Sequence, residues 1–300
     1  MKSNIVIPSW ELVNNANVIK KFNFLPSLLS TIYLSAIVFY QVAFSYVYIF
    51  QKKDEVFSLI IDFVHQSYFI EVIIWVVIWL LLYLLIQPIA EAGILYIIDA
   101  FSKKEENKQK MSYWISQGLL NFLPLFEYHN FMWLFRFLSI VTFYFLLLRV
   151  FGQAYAWPIS ILMFVYLLFA VWINLLFAYT KFFILFEKKH VFEAISESTK
   201  MTLNSMDVTW KLYYTLFLVY ARVIITIIVF TVFPLIISAL FAYITTKIFF
   251  IVWAAIIWII FIAFLLFISH LNSVLEIFVE ALWYNAYMEN KKDMPQEKEE

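Results

Sequence analysis

Apolar residues in this chain fall into six long blocks, separated by short polar stretches. The blocks cover residues 24–50, 68–98, 131–151, 157–179, 213–243 and 249–268. A helix needs about 20 apolar residues to cross a hydrocarbon layer about 30 Å thick, and each block meets that length. Several exceed it, which predicts tilt, a kink or an end lying in the interface. Pro88 stands near one end of the second block and Pro234 interrupts the fifth.

The polar stretches have a period of their own. Residues 187–204 form the longest interruption between blocks, and at 100° per residue 190–203 make an amphipathic helix. Val191, Phe192, Ala194, Ile195, Met201 and Leu203 share a broad side, with Ser198, Thr199 and Thr202 among them; Glu193, Ser196, Glu197 and Lys200 gather opposite. That pattern belongs to a helix lying along a membrane interface. Near the start, Pro8-Ser9-Trp10-Glu11 reads as a helix beginning, with Ser9 as its cap and Leu12, Val13, Ala16 and Ile19 on one face. A third such segment puts Met111, Trp114, Ile115, Leu119 and Phe122 on one face. Asn23-Phe-Leu-Pro26 recurs as Asn121-Phe-Leu-Pro124, and Glu193-Ala-Ile echoes Glu11-Leu-Val. The pattern reads as three repeats, each an inner amphipathic helix followed by two spans.

Composition settles the solvent. The 300 residues are 64% hydrophobic and only 14% charged, with mean hydropathy +0.85. Soluble domains sit near 45–50% apolar, so the excess calls for lipid. The fold class is all-α integral membrane: six transmembrane helices with cytoplasmic interfacial amphipathic helices. Residues 1–288 read as a single membrane domain and 289–300 as a charged, disordered cytoplasmic tail, although helical periodicity continues past the sixth block through residue 288. Orientation follows the lysines: fifteen fall on one side of this map and three, Lys52, Lys53 and Lys247, on the other. Both termini are therefore expected in the cytoplasm, in a bacterial inner membrane. The preference for Lys over Arg, with abundant Phe, Ile, Tyr and Asn, fits an AT-rich genome.

Several chemistries are excluded. There is no cysteine, hence no thiolate nucleophile or Cys-bound metal. Three glycines cannot supply a phosphate-binding loop, a dinucleotide fingerprint or a Gly-x-Ser-x-Gly elbow. Glycine scarcity also predicts helix packing through bulkier side chains. Zero net charge argues against nucleic acid. The four histidines are scattered, and the Asp62/His65 and Glu276/Glu280 pairs read as solvated helix faces. No metal, cofactor or catalytic constellation is expected, and the chain reads as non-enzymatic.

The remaining candidates are polar groups at membrane depth, which are costly and often functional. They are Gln87, Glu91, Asn174, Arg222 and His270. Arg222, about nine residues inside the fifth block, is expected to reach toward Glu91, Gln87 and Asn174. Arg136 and Arg149 are expected to snorkel to opposite faces from the third block. These groups serve either as a lock between spans or as the lining of a ligand cavity.

Three stretches carry a family likeness: Pro88-Ile-Ala-Glu-Ala-Gly93-Ile-Leu-Tyr96 leading to Lys103-Lys104, Phe192-Glu-Ala-Ile-Ser-Glu-Ser198, and Ala281-Leu-Trp-Tyr284-Asn-Ala-Tyr287. With the paired spans, they resemble an uncharacterised bacterial multi-pass family related to the membrane domain of glycerophosphoryl diester phosphodiesterases. The resemblance implies architecture and no phosphodiesterase activity, since the soluble catalytic barrel has no counterpart here. Two functional readings follow. The first is a non-enzymatic protein with an interaction or membrane-organising role, contacting the bilayer and a membrane-protein partner. The second is a transporter or lipid-handling protein with an inward-facing polar cavity and a lipid ligand. A polar cavity favours the second; a dry, aromatic interior favours the first.

The lysine split predicts the outcome of reporter fusions. Reporters near Lys104 and after Glu300 read cytoplasmic and one near Lys53 reads external; an external signal at Lys104 would overturn the map.

Overall fold

The computed structural model describes residues 3–49, 53–105, 110–217 and 247–292. Among them there is no strand. The helices are α1 (Ser3–Asn15), α2 (Asn17–Ile49), α3 (Lys53–Val64), α4 (Phe69–Ser102), α5 (Met111–Leu120), α6 (Phe122–Trp133), α7 (Phe137–Phe151), α8 (Ala156–Leu176), α9 (Thr180–Phe186) and α10 (Val191–Asn204). Residues 206–217 are helical (α11), and α12 is Lys247–Lys292. Among the described residues, three stretches are long and apolar enough to cross a membrane: Phe69–Ser102, Gln153–Phe186 and Ile262–Lys292. A fourth is added if α6 and α7, bent by 45° at their junction, count as one broken span.

The described residues divide into two compact units, one within Met1–Thr31 and Ser205–Asp293, the other within Ile32–Asn204. In the first unit α1 lies along α12, and Ile5, Leu12, Val13, Ala16 and Ile19 are buried with Ile277, Leu282, Tyr284 and Tyr287. A seam of small polar residues joins α2 to α12. Ser27 donates to the Ser269 carbonyl (3.0 Å), Asn272 to Thr31 Oγ1 (3.0 Å), and Asn23 to both the Ser273 carbonyl (3.2 Å) and Glu276 (3.0 Å). Further along α12, Asn285 donates to Ser9 Oγ (2.9 Å). Ser269 and Ser273 stand four apart and offer their backbone carbonyls to α2, while the Ser269 hydroxyl turns back to the Leu265 carbonyl of its own helix. The bulky packing expected from glycine scarcity is thus only part of the contact.

The second unit is built around α4. Its first half, Phe69 to Ile86, is apolar and mostly exposed on all sides, as a lipid-facing helix would be. From Pro88 onward it is largely buried, and Ala92, Leu95 and Ile97 have no exposed surface. α5 and α6 pack on this buried half. At Gly118 of α5 the approach is so close that a Cβ would collide with the Ile89 carbonyl oxygen. α7 packs on α8, and α10 packs on α8, α9 and α6.

Four local readings change. Ser9 is not a cap: α1 begins at Ser3, and the Ser9 hydroxyl donates to the Ile5 carbonyl inside the helix (2.6 Å). The third block is not one straight helix, because α6 ends at Trp133 and α7 starts at Phe137. In α5 the buried face is Trp114 and Gly118, while Met111, Ile115 and Leu119 are exposed. Glu276 and Glu280 are half-buried rather than solvated. Beyond the sixth block the helix does continue: α12 runs unbroken for 46 residues, about 69 Å, and carries its last turn through Lys292 into the stretch expected as tail. Residues 293–300 and most of the fifth block lie outside the described residues.

Gly118→Ala should lower stability by about 1–3 kcal/mol, because backbone must move to admit the methyl. Ser116→Ala, on the exposed side of the same helix, should change it by less than about 0.5 kcal/mol. Thermal unfolding of both variants in detergent checks this; equal melting temperatures would show that α4 and α5 are not in contact at Ile89.

Candidate functional site

The polar chemistry of the second unit converges on Glu91, one turn after Gln87 and Pro88. Both carboxylate oxygens are used. Lys181 of α9 donates to Oε1 at 3.0 Å, and His129 of α6 reaches Oε2 at 2.5 Å. The other ring nitrogen of His129, Nδ1, lies 2.9 Å from Nη2 of Arg136 at the start of α7. A guanidinium has donors and no acceptor, so Nδ1 must carry the lone pair. It follows that Nε2 carries the proton and gives it to Glu91, and that His129 is the neutral tautomer. The chain Arg136–His129–Glu91–Lys181 thus has a single direction of donation on each side of the carboxylate. It ties α4, α6, α7 and α9 together, with side-chain exposures of 13% for Glu91 and 11% for Lys181.

The broken helices beside this cluster leave backbone carbonyls without helical partners, a serious cost where water is scarce. Neighbouring side chains satisfy them. At the α6–α7 break, Tyr166 donates to the Leu134 carbonyl (3.0 Å) and Asn174 to that of Phe135 (2.9 Å). At the α8–α9 break, Tyr128 donates to Phe177 (3.2 Å) and Ser198 to Leu176 (2.9 Å). Thr202 shares the Leu176 carbonyl (3.2 Å), and the Tyr179 amide donates to Ser198 Oγ (3.1 Å). The hydroxyls among the apolar residues of α10 therefore cap the end of α8.

A second knot holds the turn after α9. Lys188, at φ +55°, donates to Tyr96 Oη (2.7 Å) and to Asn121 Oδ1 (2.9 Å), and Tyr96 donates to the Leu185 carbonyl (2.9 Å). A left-handed lysine is strained, and these bonds help hold it there.

Beside Glu91 lies a cleft of about 60 Å³. Gln87, His129, Asn130 and Arg136 line it with the Tyr33 and Tyr83 rings, stacked at 4.2 Å. Pro88, which has no N–H for the carbonyl one turn before it, and Leu84 also face it.

Of the candidates named from sequence, Glu91 is the hub, Gln87 lines the cleft, and Asn174 caps the break next to Arg136. His270 is exposed on α12, within the other unit. Arg222 lies outside the described residues. Sequence reasoning misses the described partners of Glu91, which are His129 and Lys181. In the sequence Lys181 looks like one more solvated lysine, and His129 has no metal-ligand spacing to mark it. Arg136 does not simply snorkel: it turns to His129. Among the described residues no group of three or more His, Asp and Glu side chains forms a metal site. Comparison with protein-family models, curated proteins and solved structures found no match.

Glu91→Leu leaves Lys181 in place without its carboxylate and should cost about 3–5 kcal/mol. Adding Lys181→Met should recover roughly half of that loss, because neighbours in one network are not additive. Denaturant unfolding of the two single variants and the double variant measures the coupling; additive losses would dissolve the proposed network.

Proposed function

We propose that this chain is a six-span, non-enzymatic protein of a bacterial inner membrane, with both termini cytoplasmic, and that its second unit binds a small polar or amphipathic ligand. The role is lipid handling or transport rather than membrane organisation alone. The cleft carries this reading: it brings amide, imidazole and guanidinium groups to one opening beside a carboxylate whose two oxygens each already accept a hydrogen bond. A lock alone needs no such opening. The broken span supports the same reading, since interrupted helices commonly border ligand sites. Depth supports it too. Twenty residues from Phe69 to Pro88 extend about 30 Å, so an upright α4 would bring Gln87 and Glu91 to the inner headgroup level. The likeness to the membrane domain of glycerophosphoryl diester phosphodiesterases is part of the proposal for architecture and supplies no activity.

Native mass spectrometry of the protein released from nanodiscs tests the reading. A lipid or small molecule should be retained by the wild type and lost in a Gln87→Leu, Asn130→Ala variant. Retention of a protein partner with no small molecule would favour the organising role instead.

A further inference from the structure

We infer that the cleft at the α6–α7 break takes an anionic group, a phosphate or a carboxylate, with Arg136 as its principal cationic contact. This rests on the binding role proposed above and specifies the ligand's chemistry. Arg136 is the charge in the cluster that the described residues leave uncompensated. Its described partner, His129, is neutral by the donor argument, and both oxygens of Glu91 are taken by His129 and Lys181. No described carboxylate lies within ion-pair distance of the guanidinium. One of its five N–H donors goes to His129, which leaves the planar fork able to meet a phosphate or carboxylate side-on.

The other polar groups of the lining suit the same guest, beside an apolar wall of Leu84, Pro88, Phe126 and Trp133. Gln87 and Asn130 bring amide N–H groups to the cleft, and among the described residues neither amide has a hydrogen-bond partner. Tyr33 brings a hydroxyl at the end of its stacked ring. About 60 Å³ admits one such group or a few waters and is too small for a whole lipid. An acyl-bearing ligand would leave its chains outside, where Leu81, Leu84 and Leu85 expose the apolar side of α4. A free anion from the aqueous side has the same headgroup chemistry. The imidazole has a further part: by accepting from Nη2 it fixes the guanidinium plane, which makes His129 a positioning residue.

The test uses the full chain in phosphatidylcholine nanodiscs, with two arms. In one, a minor fraction of phosphatidic acid is added and retained lipid is counted by native mass spectrometry. In the other, inorganic phosphate is titrated and the melting temperature is followed. Arg136→Gln keeps a donor for His129 Nδ1 while removing the charge. It should weaken retention of phosphatidic acid, or the phosphate-induced stabilisation, by at least about tenfold. Response in the lipid arm alone assigns the anion to a headgroup; response in the phosphate arm alone assigns it to a free anion. Retention of phosphatidylcholine equal to that of phosphatidic acid, and indifferent to Arg136→Gln, would overturn the anion assignment and leave the binding role standing. Retention of nothing in either arm would overturn both. Should Arg136→Gln fail to fold, the Gln87→Leu, Asn130→Ala variant, which leaves the Glu91 cluster intact, decides: unchanged anion retention overturns the proposal.

Discussion

The second unit depends on one buried carboxylate. Glu91 stands on α4 where that helix passes from exposed and apolar to buried, and an isolated charge there would cost several kcal/mol. Lys181 and His129 make it tolerable, and to do so they must come from α9 and α6. The demand of one side chain thereby fixes where three helices meet. Arg136 extends the constraint to the start of α7 through the same imidazole. Exchanging a whole buried charge network for apolar residues is often neutral for stability, so stability alone does not explain this one. Such networks are retained where they fix register or serve a site; this one ties four helices together and borders a cleft.

The second constraint is the backbone. Helices α6–α7 and α8–α9 are both interrupted, and a break in a span exposes carbonyls that lipid cannot satisfy. Five side chains from neighbouring helices do so, Tyr128, Tyr166, Asn174, Ser198 and Thr202. The high tyrosine content thus has a structural use beyond an interfacial belt, since a tyrosine packs its ring and still delivers one donor at its tip. The breaks in turn put Lys181 and Arg136 where they are needed. Lys181 is the second residue of the short helix after one break, and Arg136 immediately precedes the helix after the other.

Helicity was legible in sequence, and so were three or four of the six expected spans, those the described residues show as long and apolar enough to cross, because apolar length is a strong signal. The helix α10 was legible too, with Glu193 and Ser196 exposed and Ala194 and Met201 buried, but Phe192 and Leu203 of its apolar side are exposed as well. Glu91, Gln87 and Asn174 could be singled out because polar groups at membrane depth are rare. Their partners could not. His129 and Lys181 lie 38 and 90 residues from Glu91, and one sequence carries no signal of that pairing. The break at residues 134–136 was hidden because it contains no proline or glycine; Leu134, Phe135 and Arg136 look like any other part of an apolar block. Ser9 misled for a related reason: a serine after a proline reads as a cap, whereas here it is buried inside α1, bonded to the Ile5 carbonyl and to Asn285 of α12.

The protonation of His129 tests the account most directly, since the directions of all its hydrogen bonds follow from it. Side-chain ¹⁵N spectra of the histidine-labelled protein at pH 7, with His129 assigned by its loss in His129→Gln, distinguish the forms. The network predicts a neutral ring with Nε2 protonated and Nδ1 bare. A ring protonated on both nitrogens, or on Nδ1 alone, would contradict it, because neither form can accept from Arg136 while donating to Glu91.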